Sequence, residues 1–124
     1  MNKKRPVNLD LRTLKFPPMA IASILHRVSG MVLFLLLPVM MYFLDLSLRN
    51  AGTFTNLQAT LAHPLCKVTL WAFLAAWTYH LLAGIRHMLM DLGWGEHLES
   101  GRRSAVFVII LSVIFSLLLG VWIW

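Results

Sequence analysis

Three apolar runs, Val28–Leu44, Val68–Ile85 and Ala105–Trp124, constrain this chain more than anything else in it. Each is near the roughly 17 to 25 residues that a helix needs to cross the hydrocarbon core of a bilayer. A segment surrounded by lipid must satisfy its backbone amides internally, which for an isolated run means a helix. Composition agrees, with 59% hydrophobic and 13% charged residues in 124, against about 45 to 50% and about 25% in soluble proteins. The chain therefore reads as a single all-α integral membrane domain over 1–124. A cytoplasmic N-terminal segment, 1–17, precedes transmembrane helices at about 18–46, 64–92 and 103–124.

Local signals place the helix ends. Pro17 or Pro18 opens the first helix, because proline is tolerated where the missing N–H would be unpaired anyway. Pro38 lies inside it, removes the bond to the Phe34 carbonyl and is expected to kink it. The second helix opens near Pro64 and stops before Gly93, a residue suited to a left-handed cap. Arg102 and Arg103 mark the start of the third, and Trp122 and Trp124 suit the opposite interface. The loops are expected to be short, and no internal repeat is visible. The basic start, Lys3, Lys4 and Arg5, has something of a secretory signal about it. The apolar stretch after it exceeds the roughly 7 to 15 residues of such a segment, however, and no small-x-small cleavage site follows, so a retained first span is expected.

The net charge of +6 does not point to nucleic acid. A nucleic-acid binder carries its basic residues as a stripe on a polar surface, whereas these sit between apolar runs, where membrane lipid is the partner. Lys3, Lys4, Arg5, Arg12, Lys15, Arg27, Arg86, Arg102 and Arg103 fall on one side and Arg49 and Lys67 on the other, nine against two. By the positive-inside rule the N-terminus faces the cytoplasm and the C-terminus the outside. The single cysteine, Cys66, allows no internal disulfide and no iron-sulfur or zinc cluster, and is read as packing. The seven methionines are read the same way, His63 and His97 as solvated loop residues, and Asp45 and Arg49 as the outer end of the first span.

Ionisable groups inside a span cost about 2.5 to 3.5 kcal/mol at the helix centre, so each one needs a reason. His80, Gly84, His87 and Asp91 lie within about 60° of one another on the second helix, in one narrow stripe. His80 lies deepest, where a neutral imidazole needs either a hydrogen bond, to a backbone carbonyl or a serine of a neighbouring helix, or a metal such as a haem iron. Gly84 would let a flat macrocycle lie close to the backbone. His87 and Arg86 come about two turns later, where they would neutralise haem propionates, with snorkelling to the interface as the alternative for His87. On the first helix Ser23, His26, Arg27 and Gly30 follow helical spacing. A hydroxyl and a guanidinium there suit a quinone carbonyl and the anion formed on its one-electron reduction, with snorkelling of Arg27 to lipid phosphate as the alternative.

Three segments carry a family resemblance: Arg5-Pro6-Val7-Asn8-Leu9-Asp10, Ser23-Ile24-Leu25-His26-Arg27-Val28-Ser29-Gly30, and the run from His80 to Gly93 reading HLLAGIRHMLMDLG. They are similar to the signature segments of the cytochrome b subunits of succinate dehydrogenase, the haem-binding membrane anchors of bacterial succinate:quinone oxidoreductase. The resemblance covers essentially the whole chain. It implies a haem-binding helical bundle completed by a second small anchor subunit, with His80 as one axial ligand of haem b and the other histidine supplied by that subunit. It implies further that Ser23 and Arg27 line a ubiquinone site beside the iron-sulfur subunit, that His26 neighbours a haem propionate, and that Asp91 lies near the quinone pocket on a possible proton path. Succinate would be oxidised in a flavoprotein subunit, so that FAD and the iron-sulfur clusters belong to partner subunits and the membrane is the bacterial inner membrane. Two alternatives stand beside this: the anchor of a quinol:fumarate reductase, and a non-enzymatic membrane protein whose polar stripe only pairs helices.

Overall fold

The computed structural model describes Val7, Leu9, Asp10 and residues 12–124. Lys3, Lys4 and Arg5 of the charge count, and Pro6 and Asn8 of the first signature segment, lie outside the described residues. The described chain is helical, in the order α1 (Pro18–Arg49), α2 (Ala51–Leu61), α3 (Pro64–Asp91) and α4 (Leu98–Ile123). Of these, α1, α3 and α4 are long and apolar enough to cross a membrane. At about 1.5 Å per residue all three exceed the hydrocarbon core of about 30 Å, so their ends reach headgroup level.

The helix between the first two spans departs from the expected short loop. α2 has 11 residues, about 16 Å of helix, too little to cross. It begins at a reciprocal cap: Asn50 Oδ1 accepts from the Thr53 N–H at 2.9 Å, and Thr53 Oγ1 accepts from the Asn50 N–H at 3.2 Å. The Thr53 hydroxyl also donates to the Leu46 carbonyl at 2.8 Å, fastening α2 to the end of α1. α1 runs on to Arg49, past the expected end near 46, as Asp45 and Arg49 pair across one turn. α4 starts at Leu98, five residues before the expected position, with Glu99 in its first turn. α1 stays helical through Pro38.

Gly93 takes the role its sequence position predicts. It has φ 89°, the Gly93 N–H bonds the Met90 carbonyl, and the Trp94 N–H bonds the Leu89 carbonyl, both at 2.9 Å. That pair of bonds is a Schellman ending, which satisfies two carbonyls that α3 would otherwise leave open. At the other end of α3, His63 is exposed but caps the helix, its Nδ1 accepting from the Leu65 N–H at 3.2 Å.

The spans meet through small residues, as helices do where lipid offers apolar contacts just as good. Ala22, Ala83, Gly101 and Ala105 are buried at the contacts, and the compact core is Tyr79, Ala83 and Val108. A Cβ on Gly101 would stand 2.9 Å from Met19 Sδ, so α1 and α4 approach closely at that end. Polar ties add specificity: Tyr79 Oη donates to the Ala22 carbonyl at 2.7 Å, and Trp71 Nε1 to the Ser116 carbonyl at 2.8 Å. At the opposite end Lys67 Nζ sits 5.9 Å from the centre of the Trp124 ring. Large apolar side chains such as Phe34 and Val121 point outward, as lipid requires.

Candidate functional site

The two stripes predicted on separate helices meet. α1 turns Ala22, His26 and Ser29 toward α3, and the His26 ring stacks on the His80 ring with centroids 4.1 Å apart and planes at 14°. His87, two turns along α3, places its ring 5.2 Å from His26, tilted by 53°. Three imidazoles from two helices thus form one cluster. His80 lies eleven residue steps from the end of α3 at Asp91, roughly 16 Å into the helix.

Glycine permits the approach of the two helices at Gly30. A Cβ there would stand 3.2 Å from His80 Cε1, closer than the ring could accept without moving. At Gly84 an added Cβ would be 3.6 Å from His26 Nε2, an ordinary contact, so nothing among the described residues demands glycine there.

Hydrogen bonds define which nitrogen of His80 carries the proton. Its Nδ1 lies 3.2 Å from the His26 carbonyl oxygen and 3.1 Å from Ser29 Oγ. A carbonyl can only accept, so Nδ1 bears the hydrogen. The Ser29 hydroxyl donates to the same carbonyl at 2.8 Å, which leaves its oxygen free to accept from Nδ1. In the neutral ring Nε2 then holds the lone pair. Nε2 has no hydrogen bond among the described residues, and it is not sealed off from the exterior. Both partners offered for His80 on sequence grounds, a backbone carbonyl and a serine, are therefore present and occupy one nitrogen, while the other stays open.

Its direction follows from the helix wheel. Tyr79 and Arg86 face α1 and α4, so the stripe of His80, Gly84 and His87 turns about 100° away, into the groove between α1 and α3 on the side opposite α4. Among the described residues no three His, Cys, Asp or Glu side chains converge on a lone metal ion. A haem iron asks less of one chain, a single neutral imidazole whose far nitrogen is held by a hydrogen bond, and His80 meets that requirement.

Among the described residues, the other predicted site residues make no hydrogen bond or ring contact with the histidines. Ser23 is half-buried and Arg27 exposed, about 60° and 100° round α1 from His26, and neither makes a hydrogen bond or ion pair among the described residues. Asp91 is exposed at the last turn of α3. Arg86 departs from its expected place beside His87. It is buried, donating from Nε to Ser104 Oγ and from Nη2 to the Gly101 carbonyl, both at 3.0 Å, and so faces α4 rather than the histidines. Ser29, which contacts His80 directly, was not singled out by spacing. The available signal was its place three residues after His26, one turn along the same face.

Residues 1–119 match the family model described as succinate dehydrogenase/fumarate reductase transmembrane subunit. The chain is 51% identical, over the full length of both, to the succinate dehydrogenase cytochrome b556 subunit of Coxiella burnetii. It is 34% identical to the subunit of that name from Rickettsia typhi, covering 95% of this chain and 92% of that one. For the Paracoccus denitrificans subunit the identity is 30%, over 92% and 88% respectively.

Proposed function

The chain belongs to the succinate dehydrogenase/fumarate reductase transmembrane subunit family and is a multi-pass membrane protein, and we propose that it serves as the cytochrome b anchor of a succinate dehydrogenase. In this reading it holds haem b jointly with a second anchor subunit and helps to form the ubiquinone site. The flavoprotein and iron-sulfur subunits carry the FAD, the clusters and the succinate chemistry. The observation that carries the reading is the His80 ring, with Nδ1–H held at 3.1 and 3.2 Å by Ser29 and the His26 carbonyl and Nε2 left open.

Each residue then has a task. His80 Nε2 would hold the iron through its lone pair, and the bonded Nδ1–H would fix the ring and raise the basicity of the ligand. Haem, when bound, supplies a one-electron carrier within the membrane. His26 and His87, beside His80, are the groups available to its carboxylates, while Arg86 is engaged elsewhere. Toward the N-terminal end of α1, Ser23 donates its hydroxyl to a quinone carbonyl. The fixed charge of Arg27, with no other partner among the described residues, stabilises negative charge as the quinone is reduced. Asp91, exposed at the end of α3, can pass protons from the aqueous side. In this reading the membrane is a bacterial inner membrane, and the excess of basic residues on one side supports an N-terminus in the cytoplasm and a C-terminus in the periplasm.

The family description spans both directions of the reaction, but the relatives above carry the succinate dehydrogenase name, which favours succinate oxidation over fumarate reduction. The test is a His80→Leu variant purified with its partner subunits. Loss of the low-spin haem spectrum is expected, and an unchanged spectrum puts the ligand elsewhere.

A further inference from the structure

A second groove lies between α3 and α4, on the opposite side of α3 from the histidines, with a volume of about 380 Å³. Its walls are Leu82, Ile85, Leu89, Phe107 and Leu111, and the exposed Trp94 stands at the end where α3 connects to α4. Within this apolar lining sits Arg86, only 6% exposed. Two of its nitrogens bond neutral acceptors, Ser104 Oγ and the Gly101 carbonyl. The third, Nη1, makes no hydrogen bond among the described residues and is not sealed off.

No carboxylate compensates this charge: the ion pairs among the described residues are Asp45–Arg49 and Glu99–Arg103. A guanidinium charge in apolar surroundings carries a desolvation cost. Two dipoles lower that cost, and an anion at the open Nη1 would lower it further. What fits is an anion joined to an apolar chain.

We propose that this groove binds one phosphoglycerolipid, with an acyl chain along Leu82, Ile85 and Leu111 and the phosphate accepting from Arg86 Nη1. Trp94 suits the headgroup level that such a lipid would share. Inorganic phosphate would leave the apolar walls empty, and a diacylglycerol would leave the charge unpaired. The site is independent of the haem reading, because it uses the other side of α3.

The test uses the full chain in its purified, delipidated complex, with lipid retention counted by native mass spectrometry. Phosphatidylglycerol, diacylglycerol and inorganic phosphate are offered separately. The wild type is expected to retain one phosphatidylglycerol that a groove-filling Ile85→Trp variant lacks, and neither of the other probes. Arg86→Gln should retain it about tenfold less tightly, the loss expected from one charge-assisted hydrogen bond. Should Arg86→Gln fail to fold, Ile85→Trp decides. Equal retention of phosphatidylglycerol by wild type and Ile85→Trp, retention of diacylglycerol as good as that of phosphatidylglycerol, or retention of no lipid by the wild type would each overturn the proposal.

Discussion

Replacing Ser29 by alanine removes one hydroxyl and leaves the rest of the His80 environment in place. The hydroxyl sits 3.1 Å from His80 Nδ1 and 2.8 Å from the His26 carbonyl, in a residue only 7% exposed. Without it Nδ1–H keeps the carbonyl at 3.2 Å, so the proton is not orphaned. The cost to folding should therefore stay at the low end of the usual range for a hydrogen bond, about 0.5 to 1 kcal/mol. The effect on the cofactor should be clearer. Losing an outer hydrogen bond to a metal-ligating histidine costs about 10 to 100-fold in affinity, and the remaining carbonyl puts this case near tenfold. A less basic imidazole also stabilises the ferric state less, so the midpoint potential should rise. The assay is haem transfer from the purified complex to a soluble haem-scavenging apoprotein, with a redox titration of the same samples. Ser29→Thr keeps a hydroxyl able to bond within the helix and should restore both readings. If Ser29→Ala matches the wild type in affinity and potential while His80→Leu loses its haem, the argument from the Nδ1 hydrogen bond is wrong.

Further outcomes follow from the same geometry. Arg27→Ala in the assembled complex should lower quinone reduction by about tenfold or more, as expected for loss of a charged hydrogen-bond donor, while reduction of a water-soluble dye is preserved. Equal retention of both activities would remove Arg27 from the quinone site. Gly30→Ala should disturb the haem absorbance, since its Cβ would press to 3.2 Å from His80 Cε1. Gly84→Ala meets only an ordinary 3.6 Å contact and should leave the fold intact, so any haem loss in that variant reports a macrocycle lying against the helix there. A thermal melt and a visible spectrum of each variant separate the two cases.

The spans were legible because length and hydropathy decide them. The α3 ending was legible as well, because few residues other than Gly93 could hold φ 89° without strain. α2 was missed because its alternating Thr, Asn and Gln carry no long apolar run. The spacing of Asn50 and Thr53, a reciprocal cap, was the signal to follow. The histidines were found, but their pairing was not: spacing grouped His26 with Arg27 and His80 with Gly84, each within its own helix. How far one helix is rotated against another is poorly recorded in spans that are apolar nearly all round. Arg86 was misplaced for that reason. It follows His80 by six residues, which turns it by about 120° toward α4, and the Ser104 and Gly101 acceptors that hold it there belong to another helix.

The most direct test of the account is to isolate the tagged wild-type chain from native membranes in mild detergent with whatever accompanies it, and to record its dithionite-reduced minus oxidised visible spectrum. The account predicts a low-spin b-type spectrum in a preparation that also contains a flavoprotein, an iron-sulfur protein and a second small membrane subunit. A colourless preparation without those companions would contradict it.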